Sequence, residues 1–351
     1  MTDYAALLSD LAVPRLVGTP NHGRVRDILK RTLVARGFEI EEHAFAASSV
    51  RLGAVAMAGA ALAWGAIGTV LLQFVRHPWV TIGWIATVLA LVIHVLVTAR
   101  ARGDESVRGV NLIARRPGSP PPTIWLVAHY DSKGQPISMA TRLVAVSLCL
   151  FGAVGLLWHA GRLLFLADPP FGQAAFVVAP ALIGGVLLSM NRVTDGSPGA
   201  VDNASALVAI VMTLDLLPAR ADVGVLFPDA EELGLLGARA LAEEREGVLA
   251  GTAVVNLDGL DDRGGTIALV HRAGPLAQAL GEQLGAMRAP WLPVLVDGIE
   301  LATAARECVT IMKGDWATTR IVHTPRDTPE RLTLAGARAV AEGVARALAL
   351  A

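Results

Sequence analysis

Four long stretches of apolar residues dominate the pattern of hydrophobic and polar positions along the chain. They cover residues 52–75, 79–98, 137–158 and 171–190. The second is interrupted only by His94, the third contains Arg142 near its start, and the fourth contains Pro180. Each is long enough to cross a hydrocarbon layer of about 30 Å as a helix. The pattern therefore predicts two transmembrane hairpins, at residues 52–98 and 137–190.

Outside these stretches, short apolar segments alternate with amphipathic ones. The apolar segments predict strands at residues 123–128, 223–227, 253–257, 267–270 and 308–312. The amphipathic segments predict helices at residues 22–36, 203–217, 233–243, 275–287 and 334–350. Short, continuously apolar strands between amphipathic helices indicate an α/β sheet that is covered on both faces. We expect one large domain built from residues 1–51, 99–136 and 191–351 and interrupted by the two hairpins.

Charge and cysteine content narrow the class of protein. The 351 residues include 30 Lys and Arg against 31 Asp and Glu, a formal net charge of −1. This balance, without a basic cluster, argues against a nucleic-acid partner. Cys149 and Cys308 each lie in an apolar run and cannot form a disulfide framework. Residues 1–50 are polar, with early charges at Asp3 and Asp10, so we expect no cleavable signal peptide.

Histidines and acidic residues cluster where the predicted strands end and where a helix or loop begins. In chain order they are His129, Asp131, Asp202, Glu231, Glu232, Asp258 and His323. In open α/β sheets the ligand crevice lies at the carboxyl ends of the strands. Taken singly, Asp202 is typical of a helix N-cap, and the Glu pair is typical of solvated surface. Taken together, they indicate an oxygen and nitrogen site for a divalent metal. The other histidines are expected to be structural or on the surface: His22, His43, His77, His94, His159 and His271.

Five motifs carry these residues in one order along the chain. They are His129-x-Asp131, segment 199–205 (GAVDNAS), segment 230–237 (AEELGLLG), Asn256-x-Asp258 and segment 323–328 (HTPRDT). The series resembles the M28 zinc peptidases, a family that consists mostly of aminopeptidases with two co-catalytic zinc ions. Segment 15–20 (RLVGTP) is similar to the family's N-terminal segment. The resemblance implies a mixed, mostly parallel twisted sheet with helices on both faces, as in zinc exopeptidases.

The resemblance also implies a role for each residue. It assigns His129 and Asp258 to one zinc ion and Glu232 and His323 to a second. Asp202 would bind both ions. Glu231 would be the general base, and Asp131 would hold the free ring nitrogen of His129. The resemblance implies a di-zinc aminopeptidase in which a metal-bridging hydroxide attacks the peptide, and the four apolar stretches, which the resemblance does not cover, add the membrane anchor. A carboxylate beside a ligating imidazole orients the ring and raises its basicity. The expected partners are a peptide substrate and the lipid bilayer, and the oligomeric state is left open.

Two features depart from the family pattern. The bridging Asp normally follows the His-x-Asp motif closely, whereas here the second hairpin lies between Asp131 and Asp202. Since these residues must meet at one site, the chain has to cross the membrane an even number of times between them. Val322 stands where many aminopeptidases of the family have a Tyr whose hydroxyl can stabilise the oxyanion. Valine cannot donate a hydrogen bond, which bears on the rate and the substrate class more than on the metal site.

Arginines at the ends of the apolar stretches indicate the orientation in the membrane. The ends nearest the α/β domain carry Arg51, Arg100, Arg102, Arg142 and Arg192, whereas the short connections carry Arg76 and Arg162. By the positive-inside rule, this bias predicts a multi-pass protein of the cell membrane with its catalytic domain in the cytoplasm.

The sequence leaves three alternatives to an aminopeptidase. A carboxypeptidase or a glutaminyl cyclase is compatible with the same family resemblance, because no residue shows whether the pocket binds a free amine or a free carboxylate. A catalytically inactive membrane scaffold is the alternative from a different class of protein. All the ligand positions are filled in this chain, which favours an enzyme over a scaffold.

Overall fold

The chain folds into two compact units. The computed structural model describes residues 2–47, 50–75, 77–101, 107–165, 171–218 and 222–350. The α/β unit comprises Met1–Ala47, Glu105–Gly134 and Thr194–Ala351, and the helical unit comprises Ser48–Asp104 and Gln135–Val193. Arg76 and Arg102, which contribute to the predicted orientation, lie outside the described residues.

One eight-stranded sheet forms the centre of the α/β unit. Its strands are β1 (Glu39–Ala47), β2 (Val107–Arg115), β3 (Ile124–Val127), β4 (Val223–Phe227), β5 (Ala253–Leu260), β6 (Gly265–Arg272), β7 (Met287–Ala289) and β8 (Glu307–Gly314). Their order across the sheet is β1-β2-β4-β3-β5-β8-β6-β7. Strands β4, β3, β5 and β8 are parallel, whereas β2 is antiparallel to β1 and β4, and β6 is antiparallel to β8. The prediction of a mixed, mostly parallel sheet is confirmed.

Helices cover both faces of this sheet. The helices of the described chain are α1 (Tyr4–Leu11), α2 (Pro20–Val34), α3 (Val50–Leu72), α4 (Pro78–Ala101), α5 (Met139–Phe165), α6 (Phe171–Ser189), α7 (Ser205–Leu216), α8 (Leu236–Glu244), α9 (Glu246–Leu249), α10 (Pro275–Gln283), α11 (Gly298–Leu301) and α12 (Ala335–Leu350). Alternate strand residues face opposite sides of a sheet. Leu126 therefore joins a core with α1, α7 and α12 on one face, while Trp125 joins a second core with α8 and α11 on the other.

Strands β1 and β2, at one edge of the sheet, were not predicted from the sequence. Strand β1 has the sequence EIEEHAFAA and β2 has VRGVNLIAR, so charged residues interrupt the continuous apolar signal typical of the central strands. The two strands pair antiparallel over their whole length. The prediction for α7 also needs correction. The helix begins at Ser205 because Asp202 and Asn203 have non-helical backbone angles.

The helical unit consists of α3, α4, α5 and α6. Each contains a span that is long and apolar enough to cross a membrane: Gly53–Leu72, Pro78–Thr98, Met139–Phe165 and Gly172–Ser189. Helix α5 continues to Phe165, beyond the predicted end at residue 158. Its last turn includes Arg162, which follows the apolar stretch in the sequence. Glycines allow α6 to approach two neighbours closely. Gly185 faces Gly59 of α3, and Gly152 of α5 faces Ala181.

The chain leaves the α/β unit for each hairpin, and returns to it, at residues that are direct neighbours. Ala47 at the end of β1 is the register partner of Val107 at the start of β2. Gly134 and Thr194 form an isolated antiparallel bridge, with N–H···O distances of 2.6 and 2.9 Å. Each hairpin therefore takes the place of a tight connection within the α/β unit.

We expect Gly152→Ala to destabilise the helical unit. A Cβ at this position would overlap the backbone of Ala181, and overpacking of this kind costs about 1–3 kcal/mol. Gly161 lies in the same helix with open space around it, so Gly161→Ala is the matched control. Thermal unfolding of the purified protein in detergent measures both variants. Equal midpoints for the two would contradict the close packing of α5 on α6.

Candidate metal centre

The predicted site residues converge at the carboxyl ends of the central strands. His129 and Asp131 follow β3, Glu231 and Glu232 open a short 3-10 turn after β4, and Asp258 lies near the end of β5. Asp202 lies in a π-turn before α7, and His323 lies in the loop before α12. All seven side chains are buried. The fold thus brings together residues that the sequence separates by nearly two hundred positions.

Asp202 lies between two histidines. Its Oδ1 is 3.1 Å from Nε2 of His129, and its Oδ2 is 2.9 Å from Nε2 of His323. The surrounding ligand atoms form two groups, one with His129, Glu231 and Asp258, and one with Asp202, Glu232 and His323. Within each group the ligand atoms lie within 4.8 Å of one another. This is the spacing that a bound divalent ion requires of its ligands.

His129 supplies a direct test of whether these residues suit a metal. The ring is 1 % exposed, and neither nitrogen makes a hydrogen bond of normal geometry within the described part of the chain. Burial lowers the pKa of His129, but the carboxylates of Glu231, Asp131 and Asp202 outweigh it and raise the pKa well above its usual value. A buried imidazole among carboxylates fits a metal cation, and the mixture of oxygen and nitrogen donors suits zinc.

Asp131 links the two loops that carry these ligands. Its carboxylate accepts hydrogen bonds from the backbone N–H groups of Glu231 and Glu232, each at 3.1 Å. Its Oδ1 is also 3.5 Å from Nδ1 of His129. Asp131 therefore fixes the Glu231 turn against the His129 loop, a contact that the sequence analysis did not foresee.

Asn203 and Asp327 position the turn that carries Asp202. The amide of Asn203 donates to the carbonyl of Leu257 at 3.0 Å and accepts from the N–H of Gly259 at 3.1 Å, so it brackets Asp258. The carboxylate of Asp327 accepts from the N–H of Val201 at 2.8 Å. Both residues stand within the quoted motifs but had no predicted role.

The pKa values of the adjacent carboxyls of Glu231 and Glu232 are shifted in opposite directions. Burial raises the pKa of Glu231 well above its usual value, and the attraction of His129 opposes this only in part. Burial also raises the pKa of Glu232, but His323 and Lys133 outweigh it and hold the pKa at about 2. Two neighbouring acids with separated pKa values are a recurrent arrangement in acid–base catalysis. Glu231 is the one suited to carry a proton.

Lys133 is a partner of Glu232 that the sequence analysis missed. Its Nζ lies 2.8 Å from Oε2 of Glu232 and donates to the carbonyl oxygen of the same residue at 3.0 Å. Its position two residues after Asp131 was the available signal, but a lone lysine after a strand usually points to solvent. The ion pair keeps Glu232 ionised and fixes its orientation.

Asp297 is a second acid near the site that the sequence analysis missed. It is fully buried, neither carboxyl oxygen has a hydrogen-bond partner among the described residues, and burial raises its pKa. Its charge contributes to the raised pKa of Glu231. Asp297 ends the loop that lines a cavity of about 290 Å³ with Leu269, His271, Trp291, Leu295 and Ile299 among its walls.

Comparison with known proteins identifies the family of the chain. The family described as Peptidase family M28 matches residues 111–348, and the chain belongs to this family of peptidases. No curated protein sequence matches the chain. The family resemblance found in the sequence is confirmed, while the roles of the individual residues stay predictions.

Solved structures of two kinds of enzyme share the fold. Porphyromonas gingivalis glutaminyl cyclase has a TM-score of 0.55 at 16% identity, covering 99% of this chain and 96% of that chain. BSAP, a zinc aminopeptidase from Bacillus subtilis, has a TM-score of 0.55 at 12% identity, covering 99% and 94%. An aminopeptidase from Aneurinibacillus sp. strain AM-1 has a TM-score of 0.54 at 12% identity, covering 98% and 92%. At these identities the likeness concerns the fold.

We expect His271 in the cavity wall to make the α/β unit sensitive to acid. Burial lowers its pKa from 6.5 to about 4, while its Nε2 lies 2.8 Å from Oγ1 of Thr310. The unfolded chain takes up the proton first, so stability is lost as the pH falls from about 6.5 towards 4. His271→Gln should reduce the drop in melting temperature between pH 7.5 and pH 4.5, with chelator present in both samples. An unchanged drop would contradict this assignment.

Proposed function

We propose that the chain is a membrane-anchored di-zinc aminopeptidase. The observation that carries this proposal is the position of Asp202, whose two oxygens each face a different histidine at about 3 Å. A carboxylate placed in this way can ligate two cations at once. We assign His129 and Asp258 to one zinc ion, and Glu232 and His323 to the other, with Asp202 shared.

The chemistry needs a Lewis acid and a base. Bound zinc supplies the Lewis acid, because it lowers the pKa of a coordinated water to about 7 and polarises a substrate carbonyl. Glu231 is the base. Its carboxyl is buried, its raised pKa lets it hold a proton, and its Oε2 lies 4.0 Å from Nε2 of His129.

Glu231 takes the proton from the attacking water and delivers it to the leaving amine. Asp131 holds the Glu231 turn by two backbone hydrogen bonds and keeps His129 oriented. Val322 offers no hydroxyl beside His323, so this position supplies no hydrogen-bond donor to an oxyanion.

We expect Glu231→Gln to abolish turnover while zinc stays bound. General acid–base catalysis contributes about 10²–10⁴-fold, so hydrolysis of an aminoacyl-anilide should fall by at least about 10²-fold. Zinc content per chain, measured by elemental analysis, should equal that of the wild type. The exposed Glu330 provides the matched control, and Glu330→Gln should keep both properties.

The same experiment tests the ligand assignment. The Glu231 oxygen groups with those of His129 and Asp258 closely enough to serve as a ligand. Loss of one zinc ion in Glu231→Gln would show that Glu231 binds metal. Near-wild-type hydrolysis would reject its role as the base.

A glutaminyl cyclase is the second candidate. Cyclisation of an N-terminal glutamine moves a proton from the substrate amine to the departing ammonia, and Asp297 is a second buried carboxyl whose charge acts on the pKa of Glu231. The fold is shared with solved glutaminyl cyclases. Release of ammonia from a glutaminyl peptide, with no hydrolysis of aminoacyl-anilides, would favour this function.

Membrane anchoring rests on the four helices of the helical unit. Their spans meet the length and hydropathy needed to cross a bilayer. Both hairpins leave the α/β unit and return to it at neighbouring residues, as an even number of crossings demands. The arginine bias supports an orientation with the α/β unit in the cytoplasm.

We expect cysteine labelling in intact cells to show this orientation. His77 lies in the first connection and Glu282 lies on α10 of the α/β unit, and both are exposed. A membrane-impermeant maleimide should label His77→Cys in intact cells, but label Glu282→Cys only after permeabilisation. The native Cys149 and Cys308 are buried, and the unmodified protein serves as the background. The reverse pattern would place the α/β unit outside the cytoplasm.

A further inference from the structure

Asp229, two residues before the proposed base, is a buried carboxylate that binds no metal in the assignment above. It is fully buried, and four donor groups lie within hydrogen-bond distance of its two oxygens. Its Oδ1 accepts from the N–H of Ala230 at 2.8 Å and lies 2.7 Å from Nε2 of His22. Its Oδ2 accepts from the N–H of Val110 at 2.8 Å and lies 2.9 Å from the hydroxyl of Tyr130, whose single hydrogen also faces the carbonyl oxygen of Val110 at 2.7 Å. Every donor comes from a different segment of the chain or from the Glu231 turn itself.

The partner His22 belongs to the first turn of α2, far from the other site residues in the sequence. Its Nδ1 lies 3.4 Å from the N–H of Gly18 and accepts from it, so the opposite nitrogen carries the hydrogen that is donated to Asp229. Its ring stacks on Tyr130 with centroids 5.0 Å apart and planes 10° apart. Tyr130 lies between His129 and Asp131, so this contact reaches the loop that carries the first ligand.

The backbone of Ala230 shows what this contact holds in place. Ala230 has a φ of 54°, in the left-handed region that non-glycine residues rarely adopt. This conformation turns the chain sharply at the end of β4 and directs Glu231 and Glu232 towards the metal ligands. Such strained residues persist only where the surrounding structure determines them. The Asp229 carboxylate, which accepts from the Ala230 N–H, holds the first residue of this turn, while Asp131 holds the next two.

We propose that His22 is a positioning residue for the metal centre. Through Asp229 and Tyr130 it fixes the Glu231 turn and the His129 loop against each other. The proposal builds on the proposed function, since it assigns His22 to the support of that same site. The sequence analysis expected His22 to be structural or on the surface, and the proposal gives it a specific role.

Three variants separate positioning from a general contribution to stability. His22→Leu keeps much of the side-chain volume but removes the donor to Asp229. His22→Gln retains an N–H donor at a similar distance from the backbone. Arg36 also lies in the N-terminal segment, where it pairs with Asp215 of α7 and not with Asp229, so Arg36→Gln is the matched control.

The test measures zinc affinity by chelator competition and amide hydrogen exchange of residues 229–236 in the full-length protein. Loss of a residue that supports a ligand typically weakens metal binding about 10–100-fold. We expect His22→Leu to weaken zinc binding by at least about 10-fold and to speed exchange in this segment alone. Its kcat on an aminoacyl-anilide should fall with little change in KM. His22→Gln should restore most of each property, and Arg36→Gln should match the wild type.

Several outcomes would overturn the proposal. One is a His22→Leu variant with the zinc affinity and the exchange rates of the wild type. Another is a His22→Gln variant as defective as His22→Leu. A third is faster exchange throughout the α/β unit in His22→Leu. The exchange measurement does not depend on zinc or on activity. A wild-type protein that binds no zinc would reject the proposed function, while the exchange comparison would still decide the role of His22.

Discussion

The α/β unit depends on one constraint, which is that the carboxylate of Asp202 has to face two histidines at once. His129 follows the third strand, and His323 lies in a loop near the end of the chain, so neither can be placed by local structure. Parallel strands solve this problem because their carboxyl ends share one edge. Asn203 and Asp327 then fix the turn that carries Asp202 against β5 and the His323 loop.

The cost of this arrangement is a concentration of buried acids. Asp131, Asp202, Glu231, Glu232 and Asp258 are all buried, and burying a charge is expensive unless it is paired or hydrogen-bonded. The structure compensates unevenly. Lys133 and His323 neutralise Glu232, and backbone N–H groups satisfy Asp131, but Glu231 receives little compensation. An acid left in this state retains a proton readily, which is the property that a proton-transfer group needs.

The sequence predicted the parts of the molecule that local pattern determines. The central strands, the apolar spans and the acids at strand ends all follow from hydropathy and spacing. Strands β1 and β2 were missed because each is stabilised by its partner rather than by a continuous apolar run. Lys133, Asp297 and His22 were missed for a related reason. Each interacts with residues distant in sequence, so a lone lysine, a loop aspartate or a helix histidine carries no local signal that links it to the site.

The points where the chain leaves the α/β unit have a further consequence. Ala47 and Val107 are cross-strand neighbours, and Gly134 and Thr194 are bridged by two backbone hydrogen bonds. Each hairpin therefore starts and ends at adjacent residues of the α/β unit, whatever its length. Under the proposed function, anchor and catalyst could change independently in evolution, since a longer hairpin would suit a thicker bilayer and leave the proposed ligands in place. The same closure would let an engineer replace either hairpin by a short turn.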